Sequence, residues 1–174
     1  MIRRKRRAYL DHFTKNAAGE YIYEGDHYTY QDTGKSRKRA LTELWLLVGG
    51  AAAAILAGGC IPAPGVGNCP YVLVPYVAAI IAVFSCIWSL GQITAGGDPM
   101  REYVYHDSVE KLPGRALVTA ICAALALAGE ILYLCLNGGE DQLAFGVLFL
   151  VLMAGSAFAA FWARRTISRL NWSK

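Results

Sequence analysis

No Cys-x-x-Cys occurs in this chain, although it contains five cysteines. That spacing is what usually lowers a thiol pKa for disulfide exchange, so a redox enzyme is the weakest reading. A phosphate loop, a dinucleotide fingerprint and a nucleophile elbow are also missing. Nucleotide chemistry and hydrolase-type acyl transfer therefore have no motif to rest on. Histidine is scarce. His12, His27 and His106 stand apart with no ligand spacing, so they are expected to be solvated and no metal is expected. No catalytic residue and no cofactor is assigned. Charge is sparse as well, at 17% of residues, against about 25% in an ordinary soluble domain.

Charge is missing most completely from four long runs, at 41–60, 71–95, 116–136 and 143–163. Only Glu43 and Glu130 interrupt them. Hydrophobic residues make up 55% of the chain, and mean hydropathy is positive. A soluble domain would spread these residues at helix or strand period rather than bunch them. Each run is about 20 residues or more, enough to cross about 30 Å of hydrocarbon. No apolar stretch follows the basic start MIRRKRR before residue 41, so no cleaved signal peptide is expected. The chain reads as an all-α membrane protein, a four-transmembrane-helix bundle in the cell membrane.

Lysine and arginine are absent from the connections 61–70 and 137–142. They gather instead in the tail 1–40, the middle loop 96–115 and the tail 164–174. The positive-inside rule then gives an N-in/C-in topology with all three segments cytoplasmic. Trp45 and Trp162 fall near the expected inner interface, and Tyr71, Tyr76 and Tyr133 toward the outer one. The net charge of +4 suits a lipid bilayer with anionic headgroups at the inner face, without calling for nucleic acid. Residues 2–10 read either as an interfacial segment or as a basic tail that only fixes topology.

The stretch GEYIYEGDHYTYQDTG alternates at period two around Gly25-Asp26. It predicts a small cytoplasmic β-hairpin cap, with Tyr23 facing Tyr28 and Tyr21 facing Tyr30. A lone hairpin is marginal in water, so it should lie on the membrane, another loop or a partner. EYVY at Glu102–Tyr105 echoes EYIY at Glu20–Tyr23, and Arg115-Ala116-Leu117 echoes Arg39-Ala40-Leu41. A duplication would be a parallel repeat about the membrane normal; short coincidental matches are the alternative. Either way Tyr103 and Tyr105 are expected near the N-terminal hairpin, with a third strand as one form. The end TISRLNWSK reads as one more amphipathic turn.

Within the spans, small and polar residues form stripes, which in lipid mark the faces that meet other helices. Span one repeats Gly50, Ala54 and Gly58. Span two carries Tyr71, Pro75, Ala78, Ala82, Ser85, Ser89 and Gln92. Span three carries Ala116, Thr119, Ala123, Ala126, Glu130, Tyr133 and Asn137. Glu130 therefore points into the bundle, about 10 Å below the outer end of its helix. An intramembrane carboxylate is a functional hypothesis by default. A ligand or ion pathway would use Glu130, Tyr133, Thr119, Tyr76, Ser85, Ser89 and Gln92; the structural alternative is a carboxyl bonded across helices to Tyr76. Cys60 and Cys69 bracket the outer loop, and a disulfide between them is the expectation for an oxidising exterior.

Three functions stay open: a non-catalytic accessory subunit, scaffold or sensor; a small transporter or channel subunit working through Glu130; and a thiol-redox membrane enzyme. Beyond lipid, the partner would be another protein or a second copy of the chain. Reporter fusions test the topology. A fusion after Gly97 or Lys174 should be active only on the inner side, and one after Asn68 only on the outer. Outer-side activity at Lys174 would invert the assignment.

Overall fold

The computed structural model describes residues 13–15, 21–23, 26–31, 36–137 and 143–173. The basic segment 2–10, His12, Gly25 of the expected turn, and most of the connection 137–142 lie outside the described residues. In chain order the elements are β1 (Phe13–Lys15), β2 (Tyr21–Tyr23), β3 (His27–Gln31), α1 (Arg37–Gly59), α2 (Pro64–Asn68), α3 (Pro70–Ala95), β4 (Met100–Arg101), α4 (Glu102–Val104), α5 (Leu112–Asn137), α6 (Leu143–Ile167) and β5 (Asn171–Ser173). A π-type turn, Tyr105–Val109, continues α4 toward α5.

Four helices, α1, α3, α5 with the turns that precede it, and α6, are long and apolar enough to cross a membrane. Proline opens both α2 and α3, where its missing N–H is no loss. Pro75 lies inside α3 without ending it. At the end that carries the tails, helices run past the expected spans. α1 starts at Arg37, α5 at Leu112, and α6 continues to Ile167. Basic residues such as Arg37, Arg115 and Arg164 therefore sit on helical turns rather than in flanking loops.

The helices form a square. α1 lies against α3 and α6, and α5 lies against the same two. Buried side chains follow one line on each helix: Leu44, Val48, Ala51, Ile55 and Gly58 on α1; Val72, Tyr76, Ala79, Val83, Cys86 and Leu90 on α3. On α5 the line is Ala116, Thr119, Ala123, Ala126, Glu130 and Tyr133, and on α6 Phe149, Met153, Ser156, Ala160 and Ala163. Outward positions hold bulky apolar groups, including Leu46, Ile81, Trp88, Val151 and Phe158. So much exposed apolar surface has no place in water and fits lipid.

The α5 stripe faces inward as its spacing implies, except that Asn137 is exposed. The other two stripes shift. On α3 most of the buried line lies one residue C-terminal to the expected one, though Ser89 of the expected stripe is itself buried: Tyr71 is 43% exposed while Val72 is fully buried. On α1, Gly50 is exposed with open space around it, whereas Gly58 meets Phe149 and Met153 of α6 and Gly59 meets the Tyr76 hydroxyl of α3. At Gly129 a span comes close to the backbone of its neighbour. A Cβ there would lie 3.1 Å from the Tyr71 carbonyl oxygen and 3.2 Å from Val72 Cγ2.

The cap differs from the expected hairpin. β2 pairs with β1, Tyr23 opposite Phe13, rather than with β3. β3 belongs to a three-stranded antiparallel sheet in the order β4-β3-β5. His27 and Tyr28 pair with Arg101 and Met100, and Thr29 to Gln31 pair with Ser173 to Asn171. A two-stranded hairpin buries too little to hold alone; here β3 recruits the middle connection and the C-terminal segment. The extra strand considered for Tyr103 and Tyr105 does not form there: both lie on helical turns, and the strand that pairs with β3 is Met100–Arg101 just before them. The two echoed motifs thus adopt different structures, Tyr21–Tyr23 as strand and Glu102–Val104 as helix. Tyr105 does reach the N-terminal segment: its ring stacks on Tyr28 with centroids 4.2 Å apart. Residues after Ile167 form β5 rather than a further amphipathic turn, and Leu170 and Trp172 pack against the core.

Gly129→Leu should therefore destabilise the bundle by about 1–3 kcal/mol through overpacking. Gly49→Leu, where a Cβ meets nothing within 4 Å, should change little. Thermal unfolding in detergent micelles reads the difference.

Candidate functional site

Glu130 lies in the bundle, fully buried, on the last third of α5. Its partner is not the Tyr76 that the structural alternative named. Tyr76 donates from its hydroxyl to the Ile55 carbonyl of α1 at 2.8 Å. Glu130 instead accepts, through Oε1, the backbone N–H of Gly65 at 3.3 Å. Gly65 lies in the first turn of α2, where a short helix has N–H groups without internal acceptors. A side chain from α5 thus caps a loop helix distant in sequence. Only glycine allows this approach, because a Cβ at Gly65 would collide with Glu130 Oε2 and lie 3.2 Å from Tyr133 Cβ. Oε2 itself is buried without a partner among the described residues.

Tyr133 and Asn68 complete this cluster at the end of the bundle away from the sheet. Asn68 Nδ2 donates to the Pro64 carbonyl at 2.8 Å and to the Tyr133 hydroxyl at 3.3 Å. The loop 61–70 is therefore closed by α2, folded onto α5 through Glu130 and Tyr133. The expected disulfide is not formed: Cys60 is exposed, Cys69 half-buried, and both are free. The one-turn helix between them supplies the closure that the bridge was expected to give.

The other expected pathway residues form separate groups. Thr119 donates to the Arg115 carbonyl at 3.0 Å and lies 3.6 Å from the Cys86 sulfur. Ser89 accepts from Arg115 Nη1, which also donates to the Ser85 carbonyl at 3.1 Å. Gln92 accepts from Ser108 at 2.6 Å. Between Thr119 and Glu130 the inward face of α5 offers only Ala120, Ala123, Ala126 and Gly129, all buried and without polar side chains. Eleven residues of helix, about 16 Å, separate the two polar side chains. The structure brings Glu130 together with Tyr133, and Ser85 together with Ser89. It does not join the two groups.

Sequence reading missed Gly65, Asn68 and Arg115 as members of these clusters. Gly65 and Asn68 lie in a proline- and glycine-rich loop whose helical turn has no apolar period to mark it. Arg115 reads as an interfacial flank, and only the long start of α5 turns it toward α3. Among the described residues no three histidine, cysteine, aspartate or glutamate side chains converge on a point. Cavities lie beside Arg115, beneath Trp172 and beside Arg101, and Glu130 lines none of the three. No protein-family model matches this chain, and no curated protein or solved structure is significantly similar to it.

Glu130→Leu should lower stability by about 1–3 kcal/mol, because it leaves the buried Gly65 N–H without an acceptor. Glu130→Gln, which keeps that acceptor, should stay near wild type. Gly65→Ala should resemble the leucine variant. Unfolding in detergent, with the reactivity of Cys60 and Cys69 as a local probe of the loop, separates these outcomes.

Proposed function

We propose that this chain is a non-catalytic integral membrane protein, an accessory subunit or scaffold whose working surface is its sheet-bearing cap on the cytoplasmic side. What carries the reading is the β4-β3-β5 sheet, which ties the N-terminal segment, the middle connection and the C-terminal segment into one unit. Its ring face, Tyr28 and Tyr30 against Tyr105 and Trp172, closes the end of the bundle. The opposite face presents His27, Thr29 and Gln31, all exposed. Beside it α4 and its continuation display Glu102, His106, Asp107, Glu110 and Lys111, held in register by i,i+4 ion pairs. A rigid polar surface on a lipid-embedded base suits docking of another protein.

Transport through Glu130 draws less support. The carboxyl is committed to a loop N–H, and an alanine-lined stretch divides it from the polar groups nearer the cap. Thiol-redox chemistry draws less still, since Cys60, Cys69 and Cys135 approach the outer end as free thiols without a Cys-x-x-Cys pair.

Proteoliposomes holding the purified chain should show no proton or cation leak above empty liposomes. A photo-crosslinking residue at Thr29 should yield a discrete adduct in the native membrane that one at lipid-facing Val151 does not. A flux abolished by Glu130→Gln would overturn this reading in favour of transport.

A further inference from the structure

The face of α3 expected to meet other helices, and found only half-buried, lines a groove instead. Ala78, Ile81, Ala82 and Ser85 of α3 oppose Gly114, Arg115, Val118 and Cys122 of α5 across a cleft of about 670 Å³, within the usual range of ligand sites. The small side chains Ala78, Ala82 and Gly114 make the slot. Its surface is apolar except at the end nearest the cap, where Lys111, Glu110 and Arg115 join the lining.

The cations there are not equivalent. Lys111 is paired with Asp107, and Glu110 lies 2.6 Å from the His106 ring nitrogen. Arg115 has no carboxylate partner among the described residues. Its Nη1 donates to the Ser85 carbonyl and the Ser89 hydroxyl, both neutral, and its other nitrogens have no protein partner among the described residues. A guanidinium half-buried at the head of an apolar slot, pinned by one nitrogen, keeps donors and its whole charge for something else. Arginine's planar fork matches phosphate oxygens. Basic pockets between membrane helices near the inner surface suit phosphorylated headgroups.

We propose that the α3–α5 groove is a specific site for one phospholipid of the inner leaflet with an anionic headgroup. Its phosphate sits on Arg115 and an acyl chain runs along Ala82, Ile81, Val118 and Cys122. This goes beyond general attraction of basic tails to an anionic surface, because one cation and one shaped slot define it. It rests on the bilayer placement of the four helices and not on the cap's partner.

The full chain, reconstituted in nanodiscs of phosphatidylcholine with a minority of phosphatidylglycerol, is transferred to detergent, and the retained lipid is counted by native mass spectrometry. Wild type should keep one phosphatidylglycerol per protomer in preference to phosphatidylcholine. Arg115→Gln should weaken retention about five- to tenfold, the effect of about one interfacial charge. Ala82→Phe, which fills the slot and leaves the arginine, should do the same and guards against misfolding of the charge variant. Arg164→Gln with Arg165→Gln, cations outside the groove, should change nothing. Equal loss in that control would reduce the effect to surface charge and overturn the site. So would full retention by Ala82→Phe, displacement of the lipid by millimolar glycerol phosphate, or a lipid-free dimer burying this face. Topology mapping by reporter fusions is read separately, so a wrong orientation is told apart from an empty groove.

Discussion

Lipid gives these helices no reason to associate. Their outward side chains are as apolar as the acyl chains around them, so burial of leucine inside the bundle gains little. What remains is close approach and polar contact, and both concentrate in α5. Its alanines at 116, 120, 123 and 126 are buried, and Gly129 lets the α3 backbone come near. Its two ends carry polar groups that reach other elements, Arg115 to α3 and Glu130 to the loop helix α2. α5 also holds two neighbours of the square, α3 and α6.

The same constraint explains why buried polar atoms meet the backbone so often. Tyr76 bonds the Ile55 carbonyl, Arg37 the Ile93 carbonyl at 3.0 Å, and Thr119 the Arg115 carbonyl. A water-free interior cannot satisfy such groups otherwise, and unsatisfied ones are expensive. A carboxylate within a span therefore need not signal transport. Where a loop between spans folds a helical turn back onto the bundle, as 64–68 does, its N–H groups need an acceptor, and Glu130 provides one.

How far this was legible depends on whether a feature is encoded by composition or by contact. The four helices are legible because length and apolarity are properties of one segment. The α5 face is legible because Thr119, Glu130 and Tyr133 are conspicuous against alanine and leucine. The α3 face is not. A membrane helix with apolar residues all round carries no strong period, and its polar stripe can mark a groove as readily as a seam, so the buried line fell one residue away. The cap misled for a different reason. Gly25-Asp26 fits a hairpin turn locally, but β3 finds longer-range partners at Met100–Arg101 and Asn171–Ser173. Period two predicts strands, not which strands meet.

Glu130 and Arg115 end as opposites on one helix. Both are polar: Glu130 interrupts an apolar run and Arg115 borders the same one. Glu130 is enclosed: it has no exposed surface, its loop partner is chosen by a glycine, and removing it chiefly loosens the loop. Arg115 is open: it lines a cleft, its protein contacts are neutral, and no carboxylate pairs with it among the described residues. Intramembrane charge by itself therefore does not tell these residues apart. Their surroundings do: Glu130 is closed off with one oxygen bonded to the loop, whereas Arg115 faces an apolar slot with both charge and room.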